Sequence, residues 1–162
     1  MNKRKVCEEI VNQIYGREFI PVSFSGKASC FVRNGLYING DGVIKKVVPK
    51  KVVLSKDFVG YNFLVDFLSD DYKMVVKKYN PVLISILHEI GHVNTLVGLN
   101  NNEIKEEVAG LREFCNDFAS LNIAYRQTRA ERRADVWMVD WIIDNRDKAK
   151  IYSEILDEVF GK

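Results

Sequence analysis

Histidine is nearly absent from this chain: His88 and His92 are the two in 162 residues. A metal site built on three histidines of one chain is thereby excluded. Cysteine is scarce as well. Cys7, Cys30 and Cys115 are odd in number, far apart and without a CxxC pair. That argues against a disulfide framework and for reduced thiols in a cytoplasmic protein. Long apolar runs are missing, so no membrane span is expected. The basic start MNKRKVCEEIV meets Glu8 and Glu9 before a secretory apolar stretch can develop. Charge of one sign is missing too. A net charge of +2 is too small to make nucleic acid or an anionic membrane the expected main partner. Repeats, low-complexity tracts and linker-like stretches are also lacking, which leaves a single domain over 1–162.

What is present divides in two. Val6, Ile10 and Ile14 stand at helical spacing over residues 2–15, and Gly16 is a natural stop. From Pro21 to about Lys78 the pattern favours short strands. Asn34-Gly35, Asn39-Gly40 and Asp41-Gly42 read as turns, KKVVL and YKMVVKK as strands, and YNFLVDFL as a strand or a short helix. After Asn80-Pro81 the chain turns helical, with further helices expected over about 103–120, 124–143 and 147–160. The expected class is α+β: an N-terminal helix, a small, mostly antiparallel sheet, then a helical C-terminal half.

Both histidines lie on the first of these later helices, in His88-Glu89-Ile90-Gly91-His92. At 3.6 residues per turn they stand about 40° apart on one face and can reach the same ion. Glu89 projects about 100° from His88, placed to hold a water rather than the metal. Zinc hydrolysis needs that division: the ion acidifies a water and polarises a carbonyl, and the carboxylate takes the proton. Such a pair can also be a surface or core histidine pair. Against this, the helix from Pro81 to Leu99 has no charge outside the motif. Leu83, Ile86, Ile90, Val93 and Val97 make its far face apolar, and Gly91 in mid-helix suggests a close approach.

A catalytic zinc usually takes three protein ligands. The HExxHxxGxxH arrangement is excluded, because position 95 is Thr and position 98 is Gly. The third ligand should then be Glu, Asp or, less favourably, Cys115. On a helical wheel of 124–143, Glu131 and Asp135 share the inward stripe with Met138 and Ile142, while Arg126, Arg129, Arg133, Asp140 and Asp144 collect opposite. Two carboxylates on a core-facing stripe need a partner or a metal. Glu131 as ligand and Asp135 as acceptor for a histidine N–H account for both. The competing reading is a capping box, Thr128 to Glu131, or neutralisation by an arginine. Glu103, Glu106, Glu107 and Glu113 read as the solvated face of the intervening helix.

HEIGH followed by Glu131-x-x-Ala134-Asp135-x-Trp137 resembles the gluzincin pattern of HExxH plus a downstream E-x-x-x-D. More narrowly, it is similar to the ImmA/IrrE-type metallopeptidases of bacteria, phages and mobile elements. Trp137 stands where phenylalanine is commoner, and Met138 where alanine is usual. The resemblance spans about Pro81 to Ile143. It implies a zincin-like fold, one zinc per chain and, in some members, cleavage of a repressor-like protein.

Together these readings give a zinc peptidase with a protein or peptide substrate. His88, His92 and Glu131 hold the ion, Glu89 is the base, and Asp135 orients a histidine. Tyr125, Tyr79 or Arg126 is available as a second electrophile. YKMVVKK is a candidate edge strand for an extended substrate. Two alternatives remain: a zinc-binding regulatory or interaction module without peptidase activity, and nucleic-acid binding through Arg126, Arg129, Arg132 and Arg133. The second is disfavoured by the acids mixed among those arginines.

Overall fold

The computed structural model describes residues 1–27, 29–56, 64–66 and 68–161. Asn2 opens α1 (Lys3–Tyr15) by accepting a hydrogen bond from the Lys5 N–H, and Gly16 closes it in the left-handed region at φ 70°. Three strands follow: β1 (Val22–Ser25), β2 (Phe31–Ile38) and β3 (Ile44–Ser55). Then come α2 (Asp70–Val76), α3 (Pro81–Thr95), α4 (Asn101–Phe114), α5 (Phe118–Arg126), α6 (Arg129–Asp144) and α7 (Arg146–Phe160). The α+β class and the order of helix, small sheet and helical half are as the sequence predicts. No helix among the described residues is long and apolar enough to cross a membrane.

The sheet is mixed rather than mostly antiparallel. Its order is β1-β3-β2, with β1 parallel and β2 antiparallel to the central β3. The β2–β3 connection is the turn expected at Asn39–Gly42, where the Asn39 side chain accepts from the N–H groups of Asp41 and Val43. Asn34-Gly35 is not a turn. It lies inside β2, at a register shift between Arg33 and Asn34 opposite Pro49. Proline has no N–H to give the ladder, so the irregularity falls where the pairing is already broken.

YKMVVKK is not a strand either. Asp70, Asp71, Tyr72, Lys73, Met74, Val75 and Val76 form α2, with two acids in its first turn. Tyr72, Val75 and Val76 turn together towards the core, which is helical and not alternating spacing. YNFLVDFL lies in large part outside the described residues; its residues 64–66 are helical.

α3 is the axis of the fold. Pro81 fills its first turn and the Asn80 side chain accepts from the Val82 N–H. Asn80 is itself tied to α7, through the Ser153 hydroxyl at 2.7 Å and the Asp157 carboxylate at 2.7 Å. Leu83, Ile84, Ile86, Leu87 and Ile90 are fully buried and pack among Val52 and Leu54 of β3, Met138 and Ile142 of α6, and Leu156 of α7. Val97 differs from the expected apolar face: the helix ends at Thr95, and Val97 is half exposed.

Candidate metal centre

The centre forms where α3 crosses α6. A Cβ on Gly91 would stand 2.8 Å from the Ala134 carbonyl oxygen and 3.1 Å from its Cα, both backbone atoms of the facing helix. The mid-helix glycine is therefore what lets the two helices approach. Gly91→Ala is expected to lower stability by about 1–3 kcal/mol through overpacking, outweighing a helix-propensity gain of roughly 1 kcal/mol. Chemical denaturation compared with the wild type checks this.

At that distance His88 and His92 of α3 meet Glu131 of α6. His88 Nε2 lies 2.8 Å from Glu131 Oε2, and His92 Nε2 lies 3.2 Å from Glu131 Oε1. The two imidazoles stand edge to face, with centroids 4.6 Å apart. One donor atom from each of the three residues lies within 4.8 Å of the others, so the group could hold a metal ion. Ligands at 2.0–2.1 Å around a tetrahedral ion stand about 3.3 Å from one another, a spacing that donor atoms within 4.8 Å reach by drawing together. Cys115, the weaker candidate for third ligand, lies beyond the end of α4 and outside this group.

Asp135 is one turn beyond Glu131, and its Oδ1 is 2.9 Å from His88 Nδ1. The pair is close but not aligned as a well-formed hydrogen bond. The carboxylate still favours the ring orientation that directs Nε2 towards the group. The capping box is not formed. Thr128 makes no side-chain cap bond; its hydroxyl donates to the Tyr125 carbonyl, leaving Glu131 free to face α3.

Arg126 departs from expectation. A continuous helix over 124–143 would carry it to the water side, but the chain breaks at Gln127 and Thr128 between α5 and α6. That break resets the helical phase and turns Arg126 inward. Its guanidinium is buried, donates to both Glu131 Oε2 and Asp135 Oδ1, and comes within 3.3 Å of His88 Nε2. Three buried carboxylates, Glu89, Glu131 and Asp135, are thus offset in part by the buried Arg126 guanidinium. Arg129, Arg132 and Arg133 remain on the surface, where Arg129 pairs with Glu103 at 3.3 Å.

The electrostatics follow from burial and these contacts. For His88, burial works against the charged form, yet Asp135 and Glu131 hold its pKa up at about 9. For Glu131, burial is outweighed by the two histidines, and its pKa falls well below the carboxylate range. For Glu89, burial dominates and raises its pKa, with His88 and His92 partly offsetting the rise. His88 has to shed a proton to ligate a metal. Apparent metal affinity should therefore climb with pH up to about 9 and level off above it, as competition titrations across that range would read.

A cavity of about 510 Å³ opens on the group, and Glu89, His88, His92 and Glu131 all line it. Tyr125 and Arg126 line it as well, whereas Tyr79 lies at a different pocket against α7. Sequence reasoning missed the opposite wall: Cys30, Phe31, Val32 and Asn34, on and just before β2. The Oδ1 of Asn34 is buried there without a hydrogen-bond partner among the described residues. No local pattern marks these residues, since only the sheet brings them to the site. Burial pushes the Cys30 thiol up to about 12, so it is not a nucleophile at neutral pH. Comparison of the chain with protein-family models, curated proteins and solved structures finds no match.

Proposed function

We propose that the chain is a zinc-dependent peptidase of the gluzincin kind, laid out like the ImmA/IrrE-type metallopeptidases. It hydrolyses a peptide bond in a protein substrate, as a regulatory protease acting on a repressor-like protein would in a bacterial, phage or mobile-element setting. One observation carries the reading: His88, His92 and Glu131 converge from two helices on a cavity that is also lined by a carboxylate outside the group, Glu89. A purely structural zinc site is closed by protein ligands and has no use for a base.

Bound zinc supplies Lewis acidity to a water and to the substrate carbonyl. Glu89 takes the proton of the attacking water and passes it to the leaving nitrogen. Burial raises its pKa, which makes the carboxylate a stronger base towards the proton of the water. Arg126 is held by two carboxylates, which leaves Tyr125 as the donor facing the developing oxyanion. Burial, followed by the Glu131 charge, raises the Tyr125 pKa, so its hydroxyl keeps its proton. An extended substrate runs along β2, an edge strand of the sheet, and Asn34 Oδ1, unpartnered among the described residues, accepts one of its N–H groups.

The test is incubation of the purified chain with unfolded protein substrates, before chelation, after chelation and after zinc is restored, with fragments read by mass spectrometry. Cleavage that disappears with chelator and returns with zinc is expected. Cleavage that ignores chelator, or none from zinc-loaded protein, overturns the proposal.

A further inference from the structure

The near-neutral total hides a division of charge. Between Phe19 and Lys56 stand Lys27, Arg33, Lys45, Lys46, Lys50, Lys51 and Lys56, against one acid, Asp41. That stretch carries +6, so in a chain of net +2 the remainder carries −4. The folded stretch is the sheet, and five of these residues sit on the β2–β3 hairpin.

Several features set this patch apart from an ordinary solvated face. Among the described residues, none of the seven forms an ion pair with a carboxylate. Arg33 stands directly across the ladder from Lys51, a like-charge pairing that costs stability. β2 also exposes Leu36, Tyr37 and Ile38, at 36%, 60% and 42%, with Tyr37 on the face of Arg33 and Lys46 and the other two on the opposite face. Lys46 lies over the Tyr37 ring at 5.7 Å. The same strand supplies Phe31, Val32 and Asn34 to the cavity wall, so β2, despite its register shifts, reaches from the candidate metal centre to this surface.

We infer that the β2–β3 hairpin is a docking surface for an acidic, partly apolar polypeptide segment, and that it selects such segments as substrates for the adjoining centre. Lysines fit side-chain carboxylates, and Tyr37, exposed with Lys46 over its ring, fits an apolar side chain among them. A nucleic acid is the less suitable occupant. A long polyanion would also meet the remainder of the chain, which carries −4, whereas a short peptide segment lies within the patch.

The inference rests on the peptidase reading for its role, but its test separates the two. Full-length Glu89→Gln protein is titrated into a fluorescent unstructured peptide of alternating acidic and apolar residues. The comparisons are a twin peptide with lysine at every acid and a DNA oligonucleotide of similar length, each at low and high salt. The acidic peptide should bind about tenfold or more tighter than its basic twin at low salt, and the margin should shrink as salt rises. The triple variant Lys45→Glu, Lys46→Glu, Lys50→Glu, at three exposed positions, should remove the preference while circular dichroism stays unchanged. Equal binding of the two peptides, no binding of either, or DNA binding tighter than the acidic peptide each overturns the inference. Cleavage is read separately, with zinc-loaded wild-type protein. Selective binding without cleavage would leave the docking surface standing and remove the peptidase.

Discussion

Replacing Glu89 by glutamine is expected to lower peptide hydrolysis by about 10²–10⁴-fold while the protein still takes up one zinc per chain. Glutamine keeps the shape of the side chain and removes its proton-accepting charge. Glu89 is buried at 6% exposure and its ionised form is penalised by that burial. The variant should thus be at least as stable as the wild type, so a loss of turnover cannot be blamed on unfolding. Metal analysis, thermal melts and fragment analysis on one preparation separate the three quantities. Turnover retained in Glu89→Gln would sink the base assignment.

Glu131→Ala should act on the metal itself. The change removes one of three donors and deprives Arg126 of one of two carboxylates, in a site where both partners are buried. Zinc content is expected to fall from one per chain to near zero after passage through metal-free buffer. Stability of the chelated protein should drop by about 3 kcal/mol, the low end for a broken buried pair, because Asp135 still holds the guanidinium. Glu131→Gln keeps the volume and one oxygen donor, and should retain more zinc than the alanine variant. Stoichiometric zinc in Glu131→Ala would show that another residue is the third ligand.

Much of this centre was legible because its parts are local. The four-residue spacing of His88 and His92 holds on any α-helix, and Asn80-Pro81 states where that helix begins. Glu131 and Asp135 obey the same rule on α6, where their inward direction follows from Ala134, Met138 and Ile142 around them. Gly91 signalled a close approach, although the sequence did not say that Ala134 would be the neighbour.

Errors arose wherever a local pattern fits two environments. YKMVVKK has strand-like composition, but two acids at its start and packing on one face make it α2. Asn34-Gly35 has turn chemistry and yet sits in a strand, because Pro49 opposite breaks the ladder at that point. Extending one helical phase through Gln127 and Thr128, where two helices meet, puts Arg126 on the water side. A single undetected break rotates everything on its far side.

The sequence by itself determined the helix carrying the histidines, the type of each candidate ligand and the scarcity that pointed to a carboxylate as the candidate third donor. These depend on backbone periodicity and side-chain chemistry, which neighbours along the chain carry. Only the tertiary structure decided that β1 runs parallel to β3, that Arg126 clamps both carboxylates, and that β2 walls the cavity before continuing into a cationic hairpin. Those are contacts between segments tens of residues apart, and strand order and helix crossing leave no periodic trace in either partner alone.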